Sequence, residues 1–123
     1  MDATVCHFEI PADDVDAARR FYGELFNWTI NPAPGKDDYL FIRTSQDNPA
    51  ALGGGIVKRP DPQHGVTLFV MVDSVEAMAT KLEALGGKVL QPKTAVPRMG
   101  WTVLARDPQG NPIGLFQLDT QAG

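Results

Sequence analysis

The chain has 123 residues, of which 43% are hydrophobic and 21% are charged, and its net charge is -4 at pH 7. This length allows one domain with a real core, while 11 scattered Lys and Arg residues argue against nucleic-acid binding. No apolar run approaches a membrane span, no secretory signal is visible, and the lone Cys6 fits a reducing compartment. We therefore expect a single-domain cytoplasmic protein whose partners include neither nucleic acid nor membrane.

The first half of the chain is predicted to form a strand, a helix and three more strands. "VCHFEI" is rich in β-branched and aromatic residues and predicts a strand over Val5–Ile10. Helical spacing of apolar residues predicts a helix over Asp14–Phe26. The stripe expected to face a sheet comprises Val15, Ala18, Tyr22, Leu25 and Phe26. Turn residues separate three further predicted strands: Trp28–Asn31, Tyr39–Thr44 and Leu52–Val57.

The second half repeats this order. "VTLFVMV" predicts a strand over Val66–Val72, and a helix is predicted over Ser74–Leu85, with its stop at Gly86–Gly87. The apolar stripe of this helix comprises Val75, Met78, Ala79, Leu82 and Leu85. The remaining predicted strands are Lys88–Gln91, Trp101–Arg106 and Pro112–Leu118, with Pro92 taken as a break after the first of them.

An internal duplication is indicated by sliding the chain on itself by sixty positions. The offset aligns Asp13 with Asp73, both expected to cap helices ahead of the first-turn acids Asp16 and Glu76, and it aligns Leu25 with Leu85, Pro32 with Pro92, and Gly54 with Gly114. We predict an α+β fold of two βαβββ modules, residues 5–58 and 65–119, whose curved sheets enclose a cavity.

Alternation along the first strand selects the first candidate site residues. Cys6, Phe8 and Ile10 are expected to pack under the helix, so His7 and Glu9 should point together to the other face. They are candidates for a metal or acid–base pair, or for a solvated polar face. His64 is expected in a surface loop, from which it could reach the mouth of the cavity.

Further candidates for ligand binding come from both halves. Under the sixty offset, Thr67 takes the place of His7 and Phe69 that of Glu9. Trp101 could stack on a planar ligand, and Arg98 could pair with a carboxylate. Tyr39 and Phe41 alternate on one strand and could face the same space. The alternative is core packing for Trp101 and Phe41, and a solvated loop charge for Arg98.

The segments "CHFEIPADDVDAARRFYGELFNW", "PKTAVPRMGW" and "RDPQGNPIGLFQ" resemble the vicinal oxygen chelate superfamily, which includes glyoxalase I, bleomycin-resistance proteins and extradiol dioxygenases. The likeness runs from about Cys6 to Leu118 and is greatest to small bacterial proteins related to lactoylglutathione lyase. The resemblance implies paired βαβββ modules that enclose a binding site, in a chain that commonly assembles as a homodimer.

In metal-using members, the resemblance places ligands on the first and fourth strands of each module. The matching positions are His7, about Gly54, Thr67 and Gly114, of which only His7 is a strong ligand. The glycines could leave room for a ligand, or they could mark bulges and close strand approaches. A divalent Zn, Ni, Fe or Mn ion would therefore need a non-standard site around His7 and Glu9.

Two functions stay open at this point. One is a module that binds a small molecule in the cavity, has no full lyase metal site and lacks ordinary glyoxalase I activity. The alternative is a metal-dependent lyase, isomerase or dioxygenase that uses His7, Glu9 and, as a third ligand, His64. The catalytic residues and the substrate are not identified by the sequence.

Overall fold

The computed structural model describes residues 2–34 and 38–123 of the chain. The chain divides into two compact units. The first unit is His7–Val66, and the second unit joins the N-terminal residues up to Cys6 with Thr67–Gly123. Within these described residues, no helix is both long enough and apolar enough to cross a bilayer.

The elements of the first unit follow the predicted order of strand, helix and three strands. They are β1 (Thr4–Ala12), α1 (Val15–Phe26), β2 (Thr29–Pro32), β3 (Tyr39–Arg43) and β4 (Gly54–Lys58). β1 begins in the second unit and continues into the first. Within this unit β1 pairs with β4 in parallel, and β4 with β3 and β3 with β2 pair antiparallel.

The second unit repeats both the element order and the pairing. Its elements are β5 (Thr67–Met71), α2 (Val75–Ala84), β6 (Lys88–Val96), β7 (Gly100–Arg106) and β8 (Pro112–Leu118). β5 pairs with β8 in parallel, and β8 with β7 and β7 with β6 pair antiparallel. The predicted α+β fold of two βαβββ modules is confirmed, and each unit contains both parallel and antiparallel strand pairs.

Both helix caps lie one residue later than predicted. The Asp14 carboxylate accepts the Ala17 N–H, and the Ser74 hydroxyl oxygen accepts the Ala77 N–H. Asp13 instead forms an ion pair with Arg59 at 3.0 Å. Sequence spacing alone could not separate neighbouring cap residues, since all of these residue types can cap.

The two helices also end differently. Gly86 ends α2 with a φ of 98°, as predicted, and the Gly87 N–H donates to the Leu82 carbonyl. Asn27 ends α1 with a φ of 58°. Asn is the next most common residue after Gly in this left-handed position, so "FNW" contained a stop signal that the sequence analysis missed.

The core of the first unit lies between α1 and its sheet. Five buried residues form it: Ala12, Ile30, Leu40, Ile42 and Ile56. Phe8, Ile10, Val15, Ala18 and Tyr22 pack against this cluster. Leu25 and Phe26 were expected in the same stripe, but 58% and 52% of their surfaces are exposed, because they lie where α1 extends past the buried cluster.

Cys6 was also expected under α1, but it belongs to the second unit. Its thiol donates to the Phe69 carbonyl at 3.5 Å, and burial raises its pKa. Alternation was correct for the side-chain direction of Phe8 and Ile10, but it could not show that β1 crosses from one unit into the other.

The core of the second unit contains Val72, Val75, Val103 and Leu115, with Met78, Ala79 and Leu82 from α2 packed against it. Leu85 was expected in that stripe but is 70% exposed, since it lies beyond the end of α2. β6 continues through Pro92 to Val96, with register shifts on either side of Gln91. Proline is tolerated at such irregularities because no ladder hydrogen bond is lost.

Candidate functional site

His7 and Glu9 lie on the face of the first sheet opposite α1, which we call the helix-free face. Phe8 and Ile10, which alternate with them along β1, pack against the core under the helix. His7 and Glu9 are therefore directed to the other face, as predicted. Both side chains are partly buried.

β3 adds two aromatic side chains to this face. Leu40 and Ile42 are 3% and 5% exposed and belong to the core, so the alternating Tyr39 and Phe41 are directed to the helix-free face. The two rings meet edge to face with centroids 5.4 Å apart. Phe41 is 37% exposed, which leaves apolar aromatic surface accessible beside Tyr39.

The Tyr39 hydroxyl bridges the two polar residues of β1. Its oxygen lies 2.8 Å from His7 Nε2, and it donates to Glu9 Oε2 at 2.9 Å. The His7 and Tyr39 rings are nearly parallel, at 16°. We call His7, Tyr39 and Glu9 the phenol-bridged cluster. A tyrosine from β3 thus joins two residues of β1 across the intervening strand β4.

The bridge determines the positions of the protons. A phenol carries one proton, and here it is donated to Glu9. The Tyr39 oxygen can then only accept from His7, so His7 carries a proton on Nε2. The hydrogen bonds therefore run in one direction, from His7 to Tyr39 to Glu9.

Burial and the charge of Glu9 shift the pKa values of His7 and Tyr39 away from their ordinary values. Burial lowers the pKa of His7 below its ordinary value. Burial, followed by the negative charge of Glu9 and the hydrogen bond to it, raises the pKa of Tyr39 far above the ordinary range of a phenol. Both shifts favour a neutral imidazole and a neutral phenol beside the negative charge of Glu9.

Gly55 is the residue that lets Tyr39 reach β1. It lies on β4 between Glu9 and Phe41, to which it is paired on either side. A Cβ at this position would collide with the Tyr39 hydroxyl and ring. The bare backbone of Gly55 is therefore the path along which the phenol crosses β4. A close strand approach was one alternative for the neighbouring Gly54, but not for Gly55.

Gly114 has the same relation to an aromatic ring in the second unit. It pairs with Phe69 in the β5–β8 register, and a Cβ there would collide with the Phe69 ring. Phe69 and its neighbour Thr67, which is fully buried, lie on the face opposite α2. Close approach, rather than an emptied space, explains Gly114.

The true counterpart of Gly114 is Gly55, so the alignment with Gly54 was wrong by one residue. Glu9 pairs with Gly55 as Phe69 pairs with Gly114. Gly54 instead pairs with Phe8 and approaches its ring on the helix side. Because side chains alternate along a strand, a slip of one residue exchanges the two faces.

Trp101 and Arg98 both belong to the second unit. Trp101 packs against the core under α2, donates from Nε1 to Asp119 at 2.9 Å, and has the Lys93 ammonium 4.5 Å above its ring. Arg98 is exposed in a turn, with a φ of 66°.

His64 is not the surface residue that its loop position predicted. It is 4% exposed, and its carbonyl accepts from Arg59 Nη1 at 2.7 Å. Arg59 also contacts Asp13, so it ties the loop after β4 back to the start of α1. Arg59 thus anchors the backbone of this loop, a contact that no local pattern in "PQHGV" reveals.

The side chains present do not fit the metal that the resemblance implies. A transition metal needs about three strong protein ligands. His7 Nε2 and Glu9 Oε2 each hydrogen-bond to the Tyr39 hydroxyl. Gly55 and Gly114 offer no side-chain donor. Among residues 2–34 and 38–123, no three His, Cys, Asp or Glu residues are grouped to hold a metal ion.

Comparison with known proteins relates both sequence and fold to the expected superfamily. CFP32 of Mycobacterium tuberculosis, a proposed glyoxylase, is 28% identical over 121 residues, covering 94% of this chain and 46% of that protein. The anthracycline biosynthesis protein DnrV of Streptomyces peucetius is 25% identical over 130 residues, covering 94% and 47%. The chain thus spans about half the length of these relatives.

A solved structure of a glyoxalase/bleomycin resistance protein/dioxygenase superfamily member from Vibrio splendidus shares the fold. Its TM-score is 0.66 at 12% sequence identity, with 96% of this chain and 100% of that chain covered. The family model described as a glyoxalase-like domain matches residues 5–116. Together with the duplicated βαβββ order, this match shows that the chain belongs to the glyoxalase-like family within the vicinal oxygen chelate superfamily.

Proposed function

We propose that this chain binds a small molecule on the helix-free face of its first unit, at the phenol-bridged cluster, without using a metal there. The observation that carries the proposal is the Tyr39 hydroxyl, 2.8 Å from His7 Nε2 and 2.9 Å from Glu9 Oε2. The cavity expected from the sequence stays a prediction. The proposal depends only on the helix-free face of the first unit.

The chemistry of this face defines the proposed ligand. The Phe41 ring offers accessible apolar surface against which a planar group can pack. The single negative charge of the cluster favours a ligand whose polar group is neutral or cationic and disfavours an anion. We therefore propose a ligand with a planar, apolar body and a hydrogen-bonding or cationic group.

The relatives support a small-molecule role without identifying the molecule. One is named for anthracycline biosynthesis and another is a proposed glyoxylase. Both are about twice as long as the matched stretch, so their activities are only candidates for this chain. A cytoplasmic location is likewise proposed, supported by the lone cysteine.

Thermal shift with a panel of planar compounds, including an anthracycline and a planar cation, tests the proposal. A compound that binds only the native state raises the melting temperature, and Tyr39→Phe should remove that rise. The matched control is Tyr22→Phe, which deletes the hydroxyl of the other tyrosine of the chain, on α1. The proposal fails if no compound shifts the wild type, or if both variants respond like the wild type.

The competing function is a lyase, isomerase or dioxygenase with a metal held by His7 and Glu9. Metal analysis of protein purified without chelator and then reconstituted with Zn, Ni, Fe or Mn distinguishes the two. We expect substoichiometric metal that does not change in His7→Gln. One equivalent of metal that is lost in this variant would establish the competing function.

A further inference from the structure

Arg43 lies on the same face of the first unit as the phenol-bridged cluster. Leu40 and Ile42 of β3 are buried in the core. The residues that alternate with them, Tyr39, Phe41 and Arg43, are therefore directed to the helix-free face. At a rise of about 3.3 Å per residue, Arg43 lies about 13 Å along the strand from Tyr39, with Phe41 midway. A phenol, an apolar ring and a guanidinium thus follow one another across this face.

Strand β2 and the loop after β3 add polar groups around Arg43. Ile30 is buried, so its neighbour Thr29, which pairs with Arg43 in the β2–β3 register, is also directed to the helix-free face. The Gln46 side-chain nitrogen donates to the Thr29 hydroxyl, which holds the β3–β4 loop against β2. This end of the face is therefore polar, whereas its middle, at Phe41, is apolar.

Arg43 also forms part of the wall of a small pocket at the end of β3, which we call the Arg43 pocket. The pocket has a volume of about 160 Å³, and its polar wall residues are Arg43, Thr44, Ser45 and Asn48. Sites that enclose a whole small molecule have roughly 300–1,000 Å³, so this pocket can hold one group of a larger ligand. Its described wall contains no Asp or Glu, although Asp47 belongs to the same loop.

The polar groups of the Arg43 pocket remain available as hydrogen-bond donors. Arg43 Nε donates to the Ser45 carbonyl at 3.2 Å, which leaves the two terminal nitrogens of the guanidinium as further donors. The Ser45 hydroxyl oxygen accepts the Asn48 N–H, and the Asn48 side-chain oxygen accepts the Ala50 N–H, each at 3.0 Å. The Ser45 hydroxyl proton and the Asn48 side-chain nitrogen can then donate. In the described part of the chain, Arg43 forms no ion pair.

We propose that the Arg43 pocket binds an anionic group, a carboxylate or a phosphate, at the far end of the ligand held by the phenol-bridged cluster. This role rests on the proposed function and adds the charge pattern of its ligand. Arginine presents its donors as a planar fork that matches two oxygens of a carboxylate or a phosphate. The ligand therefore has a hydrogen-bond donor or cation near Glu9, a planar body over Phe41, and an anion at Arg43.

The length of the face keeps the two charged ends of the ligand site apart. Charges near a protein surface that are farther apart than about 8 Å are largely screened at physiological ionic strength. The Glu9 carboxylate therefore opposes an anion beside itself but has little effect on one beside Arg43. Each end selects its own group of the ligand.

Isothermal titration calorimetry with a matched ligand series tests the proposal. The series is a biphenyl with an aminomethyl group at one end and a carboxylate, a phosphonate or a neutral carboxamide at the other. The carboxylate should bind the wild type about tenfold more tightly than the carboxamide, which is the lower end of what a hydrogen bond to a charged group contributes. A phosphonate that binds more tightly than the carboxylate would identify a phosphate as the preferred anion, and the reverse order would identify a carboxylate.

Arg43→Gln should remove this preference for the anion and leave the affinity for the carboxamide nearly unchanged. The matched control is Arg20→Gln, because Arg20 is an exposed arginine of α1, on the opposite face of the first unit. This control should keep the preference. Equal binding of the carboxylate and the carboxamide to the wild type, or an unchanged preference in Arg43→Gln, would overturn the proposal.

The same titrations distinguish the Arg43 pocket from the phenol-bridged cluster. If the carboxamide binds and loses affinity in Tyr39→Phe, while neither anion binds more tightly than the carboxamide, the cluster binds a ligand and the Arg43 pocket holds no anion. If no member of the series binds, the proposed function fails, and the role of Arg43 fails with it. An aminomethyl benzoate, which has a single ring and is too short to reach both ends, should bind no more tightly than its amide.

Discussion

At the scale of single residues, two glycines determine where aromatic rings can lie on the sheets. Gly55 lets the Tyr39 phenol cross β4, and Gly114 lies under the Phe69 ring. A missing side chain in a strand usually weakens it, but here the vacated space is filled by a ring from a neighbouring strand. These two glycines are therefore needed for the observed positions of the Tyr39 and Phe69 rings.

Gly55→Ala should therefore displace Tyr39 and break the phenol bridge. We expect a loss of about 1–3 kcal/mol in the free energy of unfolding, as for other overpacked sites, and loss of any ligand response that depends on Tyr39. Urea denaturation measures the first effect and thermal shift the second.

Gly65→Ala is the control in the same unit, because a Cβ there meets nothing within 4 Å. Its effect on stability should stay within about 0.5 kcal/mol. Equal losses in the two variants would contradict the proposed role of Gly55.

At the scale of elements, the two helices begin in the same way in both units. A side-chain oxygen at the residue before each helix accepts the N–H three positions on, from Asp14 in α1 and from Ser74 in α2. The acids expected in the first turn, Asp16 and Glu76, are present in both. The duplication therefore preserves the capping geometry although the cap residue differs.

Removing a cap should cost more than removing its neighbour. Asp14→Ala is expected to lower the free energy of unfolding by about 1 kcal/mol, since an N–H of α1 loses its acceptor. Asp13→Ala removes only an exposed ion pair with Arg59 and should cost about 0.5 kcal/mol or less. Chemical denaturation of the two variants side by side compares them, and a larger loss for Asp13→Ala would return the cap to the residue that the sequence first suggested.

At the scale of the whole molecule, the buried histidine of the cluster makes stability depend on pH. The pKa of His7 is lower in the folded chain than its ordinary value, because burial disfavours the imidazolium. The unfolded chain therefore binds more protons between these two pKa values, and stability falls as the pH decreases below about 6.5. Above that pH the histidine is neutral in both states and contributes no pH dependence.

His7→Gln should lessen this loss of stability, since glutamine does not titrate. Urea denaturation at about pH 7.5 and about pH 5.5, on either side of the ordinary histidine pKa, measures the difference for both proteins. Proton NMR gives the titration of the two histidines directly, with the variant assigning the signal of His7. A His7 that titrates at or above its ordinary pKa would contradict the burial on which this prediction depends.

Much of the fold could be predicted because it depends on local patterns. Period-two alternation placed His7 and Glu9 opposite Phe8 and Ile10, and helical spacing with Gly86–Gly87 located α2. The repeat of these patterns after about sixty residues revealed the two βαβββ units. Each of these signals is carried by residues that are neighbours in the chain, so the amino-acid sequence alone determined them.

Only the tertiary structure decided the site and the exposed surfaces. Tyr39 meets His7 and Glu9 at separations of 32 and 30 residues, and no local pattern specifies such a contact. His64 is buried and its carbonyl accepts from Arg59, while Phe21 and Leu25 are exposed although Tyr22 of the same helix packs on the core. Periodicity reports which way a side chain points. What meets it there depends on strands brought together from distant parts of the chain.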